Sequence, residues 1–417
     1  MAGGEKNLIA KRRDQGKNDG KSDDNDLLGA ALAIMAEDGF GGLTLRPLAK
    51  RLGYPIATFA RQVGSKDELL DYLIVLAARA DAEDLAPWLR LVESFETIPS
   101  DALIEITEEV LRVRCGSGRA RSHFKCELIQ AAACNPRVRA ALAQWIAVDH
   151  QLWKAMAERA EDTPASFDMP AALAAFAIDD AARALIIDDF DAYRWMRREA
   201  IRRLWHGLFR GRPTTPSILY MRALSDQPSP NGIPFWTAKT LAGWREKNFG
   251  AIIAGIILDA GTDAVTHREV ARRADMPHSS VAYHYPMQDD LVELGMNAII
   301  EMVRSESLAA MDGKELPVVA GHLAYASFAI ALAAARRPNL RPIARELRRR
   351  RGENLMPWLR QNAPADVPVD VADVQAMSSA LIGAILLSRA GVRDSAPLTT
   401  QLFGQLGDWP DLLVRFS

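Results

Sequence analysis

The sequence predicts an all-α protein built from two similar modules, and three observations support this prediction. Aromatic residues make up only 7% of the 417 residues, whereas Ala and Leu are abundant, a composition that favours helices. Apolar side chains recur at helical spacing along most of the chain. A segment that begins at Gly39 recurs without a gap at Gly261, an offset of 222 positions.

The repeated segment is typical of a helix-turn-helix. The residues that recur are Gly39, Thr44, Arg46, Ala49, Arg51, Pro55, Ala60, Asp67 and Leu69 in one segment, and Gly261, Thr266, Arg268, Ala271, Arg273, Pro277, Ala282, Asp289 and Leu291 in the other. A threonine N-cap starts one short helix, and a second helix follows a turn and a proline. In a helix-turn-helix the second helix enters the major groove of DNA, so the repeat predicts two DNA-binding heads in one chain.

The predicted organisation places each copy of the repeat before a longer helical region. We expect a disordered polar tail over 1–25, a first copy over 26–75, a helical regulatory region over 76–210, a Pro-rich linker over 211–240, a second copy over 241–292 and a second regulatory region over 293–417. The stretch 131–139 resembles 333–341, which indicates that the duplication covers the whole module.

Short-range signals define the elements of each copy. Gly39 ends the opening helix, Thr44 caps the next one and Gly53 closes it. Capping boxes are predicted at Ser65–Glu68 and at Thr266–Glu269. The expected small cores are Leu45, Leu48, Leu52, Phe59 and Val63 in the first copy, and Val265, Val270, Val281 and Tyr285 in the second.

The local charge of the two copies differs although the whole chain has a net charge of only −2. Residues 44–66 contain five basic residues and no acid, whereas residues 266–288 contain three arginines and two acids. Local clusters of Lys and Arg attract phosphates, so the first copy is expected to bind DNA more strongly.

Several functional classes lack support in the sequence. No Ser/His/Asp set, P-loop or Gly-rich dinucleotide motif appears, so we expect no enzymatic activity and no cofactor. Cys115, Cys126 and Cys134 form no CxxC pair, so we expect no metal site. No apolar run is long enough for a membrane span and no signal peptide is visible, which favours a cytoplasmic protein. The basic run from Arg345 to Arg351 is expected to be a solvated helix end.

Both copies resemble the amino-terminal head of the TetR family of bacterial transcriptional regulators. The family pattern ends in a Thr-Leu-Tyr-x-His-Phe-x-x-Lys run. The first copy supplies Thr58, Phe59 and Lys66 but has Ala60, Gln62 and Val63 at the tyrosine, histidine and phenylalanine positions. The second copy keeps His284 and the aromatic Tyr285 but has Ala282 and Gln288 at the tyrosine and lysine positions.

The resemblance implies two sets of contacts to double-stranded DNA. Residues expected to bind phosphates are Thr44, Arg46, Lys66, Thr266, Arg268 and His284. Residues expected to lie nearest the base edges are Ile56, Ala57, Thr58, Arg61 and Gln62 in the first copy, and His278, Ser279, Ser280 and Tyr283 in the second. Because the two reading helices differ, we expect an asymmetric operator.

The resemblance also implies that the two modules pack as an intramolecular pseudo-dimer. In the family, the last two long helices of each regulatory domain pair across the dimer, and the matching segments here are 170–209 and 371–416. The side chains expected at this interface are Leu185, Ile186, Leu204, Leu208, Leu381, Ile382, Leu402 and Leu406. A single chain is then functional, and further association of chains is compatible with the sequence.

The expected function is a ligand-responsive transcriptional regulator, most simply a repressor released from DNA by a small molecule of unknown identity. A second interpretation is an interaction protein in which one or both heads no longer bind DNA and the helical surfaces recruit a partner. The tyrosine that is missing from both copies motivates this second interpretation.

Overall fold

The computed structural model describes residues 19–161, 168–187, 191–210, 244–312, 319–349 and 351–404, the last range without 353–354, 357–358, 361–362 and 365–366. Four sequence predictions lie outside these residues. They concern the linker 211–240, residues 1–18 of the tail, Arg350 in the basic run and Leu406 at the interface.

The described part of the chain is helical, as the sequence predicts. The helices of its first half are α1 (Asp19–Gly42), α2 (Leu45–Arg51), α3 (Ile56–Val63), α4 (Lys66–Glu93), α5 (Ser100–Cys115), α6 (Arg119–Ala132), α7 (Arg137–Glu158), α8 (Met169–Ile187) and α9 (Asp191–His206). Those of its second half are α10 (Trp244–Ala260), α11 (His267–Arg273), α12 (His278–His284), α13 (Gln288–Asp312), α14 (Val319–Arg336), α15 (Arg341–Arg349), α16 (Val371–Arg389) and α17 (Ala396–Gly404). Within these residues the chain forms no strand, only one isolated bridge between Ile98 and Ala160.

Helix α1 begins earlier than the sequence indicates. The predicted tail extends to residue 25, whereas the helix starts at Asp19, so the prediction is wrong for residues 19–25. The Tyr72 hydroxyl of α4 donates a hydrogen bond to Asp24 over 2.6 Å and thereby ties the start of α1 to the core. This contact joins residues 48 positions apart, and local composition does not reveal it.

The two halves meet along α8 and α16, which pack closely against each other, and α9 also packs on α16. A Cβ atom at Gly383 of α16 would lie 1.8 Å from the carbonyl oxygen of Ala175 in α8. Only glycine permits this close approach of the two helix backbones.

The side chains predicted for the interface are mostly buried. Leu185, Ile186, Leu204, Leu208, Ile382 and Leu402 are buried, and Leu381 is half-buried against the core. Burial alone does not establish which of these side chains contact each other, so their pairing across the two halves stays a prediction.

Helix α16 is also long and apolar enough to cross a membrane by composition. Most of it is buried inside the protein against α8, α9 and α17. It is accordingly a core helix of the fold.

The prediction of a solvated basic helix end is wrong for Arg348 and Arg351, whereas Arg345 is exposed. Arg348 is only 3% exposed, and the side chain of Arg351 donates to Asp179 of α8 over 2.9 Å. Arg345 donates from Nε to the carbonyl oxygen of Ile186 over 3.1 Å. The basic run therefore enters the junction between the halves, where α15 packs on α8.

Candidate nucleic-acid interface

The first copy folds around a sharp turn and a small apolar core. Gly39 adopts a positive φ of 69° and bends the chain out of α1. Thr44 occupies the N-cap position of α2 in an extended conformation, but its side chain makes no capping hydrogen bond. Leu48, Phe59 and Val63 are buried between α2, α3 and their neighbours. The predicted core of this copy is therefore confirmed, with Leu45 and Leu52 packed at its margin.

The second copy repeats this backbone conformation at the turn, the N-cap and the proline before the third helix. Gly261 has a φ of 82°, and Thr266 has φ −119° and ψ 152°, close to the −133° and 163° of Thr44. The prolines that precede the third helices have the same φ of −60°, with ψ values of 134° for Pro55 and 138° for Pro277.

The turn between the two short helices also repeats. Gly53 has a φ of 74°, and Asp275, at the matching position, has a φ of 52°. Aspartate tolerates this left-handed conformation better than most residues, so the turn survives without a glycine. Val265, Val270 and Val281 are fully buried, as the sequence predicts, and Tyr285 packs against the same core.

Helix α3 presents the predicted base-reading residues of the first copy to solvent. Ile56, Ala57, Arg61 and Gln62 are exposed, and Thr58 is half-buried. The predicted phosphate ligands Arg46 and Lys66 are exposed and Thr44 is half-buried. The fold therefore leaves these side chains available to a ligand, and their contacts with DNA stay a prediction.

Helix α12 presents a different surface in the second copy. Tyr283 is 81% exposed and its ring makes an edge contact with His284, with the ring centroids 5.3 Å apart. His278 and Ser279 are exposed and Ser280 is half-buried. The reading face is thus aromatic and polar, and it carries no Lys or Arg.

Cations of the first copy are largely available. Arg46, Lys50, Arg61 and Lys66 have no carboxylate partner among the residues that the structure describes, whereas Arg51 pairs with Glu37 through two hydrogen bonds of 2.8 and 2.9 Å. The hydrogen bond from Arg51 lowers the pKa of Glu37. Four exposed cations therefore remain to attract phosphates.

Cations of the second copy are mostly paired within it. Glu269 accepts from Arg272 at 2.7 and 2.8 Å and from Arg273 at 3.0 Å. Arg273 also donates to Asp259 over 2.8 Å. Thr266 and Arg268 are exposed, and within the described part of the chain Arg268 has no carboxylate partner. Among the described residues the second copy therefore has one arginine without a carboxylate partner, Arg268, whereas the first copy has four such cations.

The capping box predicted at Thr266–Glu269 is only half formed. The Thr266 hydroxyl accepts from the Glu269 backbone N–H over 3.1 Å, but the Glu269 carboxylate binds the two arginines instead of the backbone at Thr266. The box at Ser65–Glu68 is complete, so that prediction is confirmed.

The two copies are connected through a cluster that the sequence does not reveal. Arg336 at the end of α14 pairs with Glu127 of α6 and, over 2.7 Å, with Asp263 of the second copy. A Cβ at Gly39 would lie 2.2 Å from Asp263, so the turn of the first copy also reaches this cluster. Burial raises the pKa of Asp263, although Arg336 opposes the shift.

Comparison with known proteins supports the assignment of the first copy. Residues 27–73 match the family model described as bacterial regulatory proteins, tetR family. The match covers most of α1, all of α2 and α3 and the start of α4, and it does not extend to the second copy. A comparison with curated proteins gave no match. Residues 27–73 therefore form a TetR-type DNA-binding domain, which supports a role as a DNA-binding transcriptional regulator.

Proposed function

We propose that the chain is a single-chain transcriptional regulator that binds one asymmetric operator through two non-identical helix-turn-helix heads. The observation that carries this proposal is the backbone repeat. Gly39 shares its backbone conformation with Gly261, and Thr44 shares its conformation with Thr266, while the exposed residues of α3 and α12 differ. Identical heads of a homodimer favour a palindrome, whereas different heads favour half-sites of different sequence.

The close packing of α8 on α16 supports an intramolecular pseudo-dimer. The same chain then holds both heads at one spacing, about one helical turn of DNA apart. Covalent connection also keeps the second head near the DNA at an effective concentration in the millimolar range once the first has bound. A weakly charged second copy can therefore still contribute to recognition.

A small-molecule effector would act through the first regulatory region. A cavity of about 10 Å³ lies between α4, α5 and α6, lined in part by Asp81, Trp88, Arg114 and Arg121. This space is enough for about one water, so effector binding requires the cavity to open. Asp81 and Trp88 lie on α4, which runs without interruption into the first copy, so opening the cavity would move that head. Release from the operator would make the protein a ligand-responsive repressor.

Selection of bound sequences from random DNA tests the proposal. The intact chain is compared with Arg61→Ala, which alters α3, and with Tyr283→Ala, which alters α12. Lys154→Ala, on the exposed surface of α7, serves as a control outside both copies. We expect an asymmetric site in which each reading-helix variant loses preference in one half only. A palindrome that responds only to Arg61→Ala would contradict the proposal.

A second candidate function is a protein-interaction module formed by the second copy. Tyr283 and Met287 are 81% and 64% exposed, and the neighbouring arginines are already paired with Glu269. In this alternative the selected DNA site would be a single half-site, and Tyr283→Ala would leave DNA binding unchanged at every salt concentration.

A further inference from the structure

The two copies differ at one position that sets how many cations have a carboxylate partner. Glu269 occupies the third position of α11, and Pro47 occupies the matching position of α2. Three and four residues later, the second copy has Arg272 and Arg273 and the first has Lys50 and Arg51. Side chains at these spacings lie on the same face of a helix, so a carboxylate at the third position reaches both cations.

The arginine at the end of each short helix, Arg51 or Arg273, also pairs with a carboxylate at the same sequence spacing in both copies, through two hydrogen bonds for Arg51 and one for Arg273. Arg273 pairs with Asp259 at 2.8 Å, and Arg51 pairs with Glu37 at 2.8 Å, in both cases across 14 residues. Glu269 is therefore the difference. With it, the second copy has two cations and two carboxylates in this cluster, whereas the first has two cations and one carboxylate.

Glu269 is ionised over the whole physiological range of pH. Its hydrogen bonds from Arg272 and Arg273 lower its pKa to about 2. Ion pairs near the surface are weak because water and salt screen them, so a DNA phosphate can compete for either arginine. The carboxylate nevertheless remains beside Thr266 and Arg268, where phosphates are expected, and it offsets the attraction.

We propose that Glu269 is an affinity-setting residue that, together with Asp259, neutralises Arg272 and Arg273 and so limits phosphate binding by the second copy. This inference rests on the proposed function, because it requires the second copy to approach DNA. It makes the first copy the main source of electrostatic affinity and leaves the second to contribute base contacts through α12. The second copy would then add more to the discrimination between operator sequences than to the affinity for DNA of any sequence.

The test is the salt dependence of DNA binding by the full chain, measured by fluorescence anisotropy on the selected operator. Glu269→Gln retains the backbone N–H that Thr266 caps but removes the charge. Each additional phosphate that the protein neutralises steepens the slope of log K against log salt by about 0.9. Because Arg273 stays paired with Asp259, we expect an increase in slope of about one and binding about tenfold tighter near 100 mM salt.

A reciprocal variant and a charge control make the result specific. Pro47→Glu introduces the carboxylate into the first copy, where Thr44 can cap the glutamate N–H, and is expected to flatten the slope by about one. Glu96→Gln makes the same change in net charge beyond the far end of α4, about 40 Å from the start of that helix in the first copy, and should leave the slope unchanged.

The outcomes separate this inference from the proposed function. If the wild-type chain binds DNA and the salt slopes of Glu269→Gln and Glu96→Gln are equal, the role of Glu269 is overturned and the proposed function is not. A wild-type chain that binds no DNA even at low salt would overturn both. A steeper slope for Glu269→Gln together with a flatter slope for Pro47→Glu would support the inference.

Discussion

Replacing Gly383 by alanine tests how tightly the two halves are packed. The new Cβ would lie 1.8 Å from the carbonyl oxygen of Ala175, and 2.4 Å from its carbonyl carbon, whereas non-bonded atoms prefer about 3.5 Å. Because both atoms belong to the backbone, no side-chain rotation relieves the contact. Helices α8 and α16 must therefore separate locally by about 1.5 Å, which removes dispersion contacts along the junction.

Two opposing effects determine the size of the change. Overpacking of this kind costs about 3 kcal/mol, whereas alanine in place of glycine inside a helix stabilises it by about 1 kcal/mol. We expect Gly383→Ala to lower the free energy of unfolding by about 2 kcal/mol, measured by urea denaturation with circular dichroism. Gly29→Ala in α1 is the control, because a Cβ there meets nothing within 4 Å and should be neutral or stabilising. Equal midpoints for Gly383→Ala and the wild-type chain would refute the proposed packing.

Three further predictions concern single side chains. Burial and the neighbouring Asp370 raise the pKa of Asp373 to about 7, so its contribution to stability is present at low pH and is lost as pH rises through 7. Unfolding titrations at pH 5.5 and 8 should show a loss of about 1–2 kcal/mol that Asp373→Asn abolishes, and a persistent loss in that variant would contradict the assignment. Arg348 is buried, and its Nε and Nη1 atoms have no hydrogen-bond partner among the described residues. Arg348→Met should therefore leave the unfolding midpoint unchanged or raise it. A marked fall in the midpoint would show that a partner stabilises Arg348. Thr266 caps α11 through its side chain, whereas Thr44 does not cap α2 in this way. Thr266→Ala should therefore lower the free energy of unfolding by about 1 kcal/mol and Thr44→Ala by clearly less. Equal losses in the two variants would contradict this difference in capping.

The features that the sequence predicts correctly are those determined within a few residues. The Gly39 turn, the capping box at Ser65–Glu68 and the core of each copy depend on backbone conformation and helical spacing, which neighbouring residues set. These signals also place the residues of α3 and α12 that face solvent. The candidate site could therefore be located from the sequence as a pair of surfaces.

The features that the sequence does not predict depend on residues far apart in the chain. Arg336 joins Glu127 and Asp263 across 209 and 73 positions, and Arg348 enters a buried junction although its neighbours are basic. Glu269 has two possible local partners, the backbone at Thr266 or the arginines one turn later, and composition does not decide between them. Each of these outcomes follows from tertiary packing or from competition between hydrogen bonds of similar strength.

The most direct test of the proposed single-chain regulator is the number of chains bound to one selected operator, measured by analytical ultracentrifugation. We predict a complex that contains one 45.8 kDa chain, with a footprint that covers both half-sites. The footprint of Tyr283→Ala should shrink on one side only. Two chains on one operator, each protecting a half of a palindrome, would contradict recognition by a single chain.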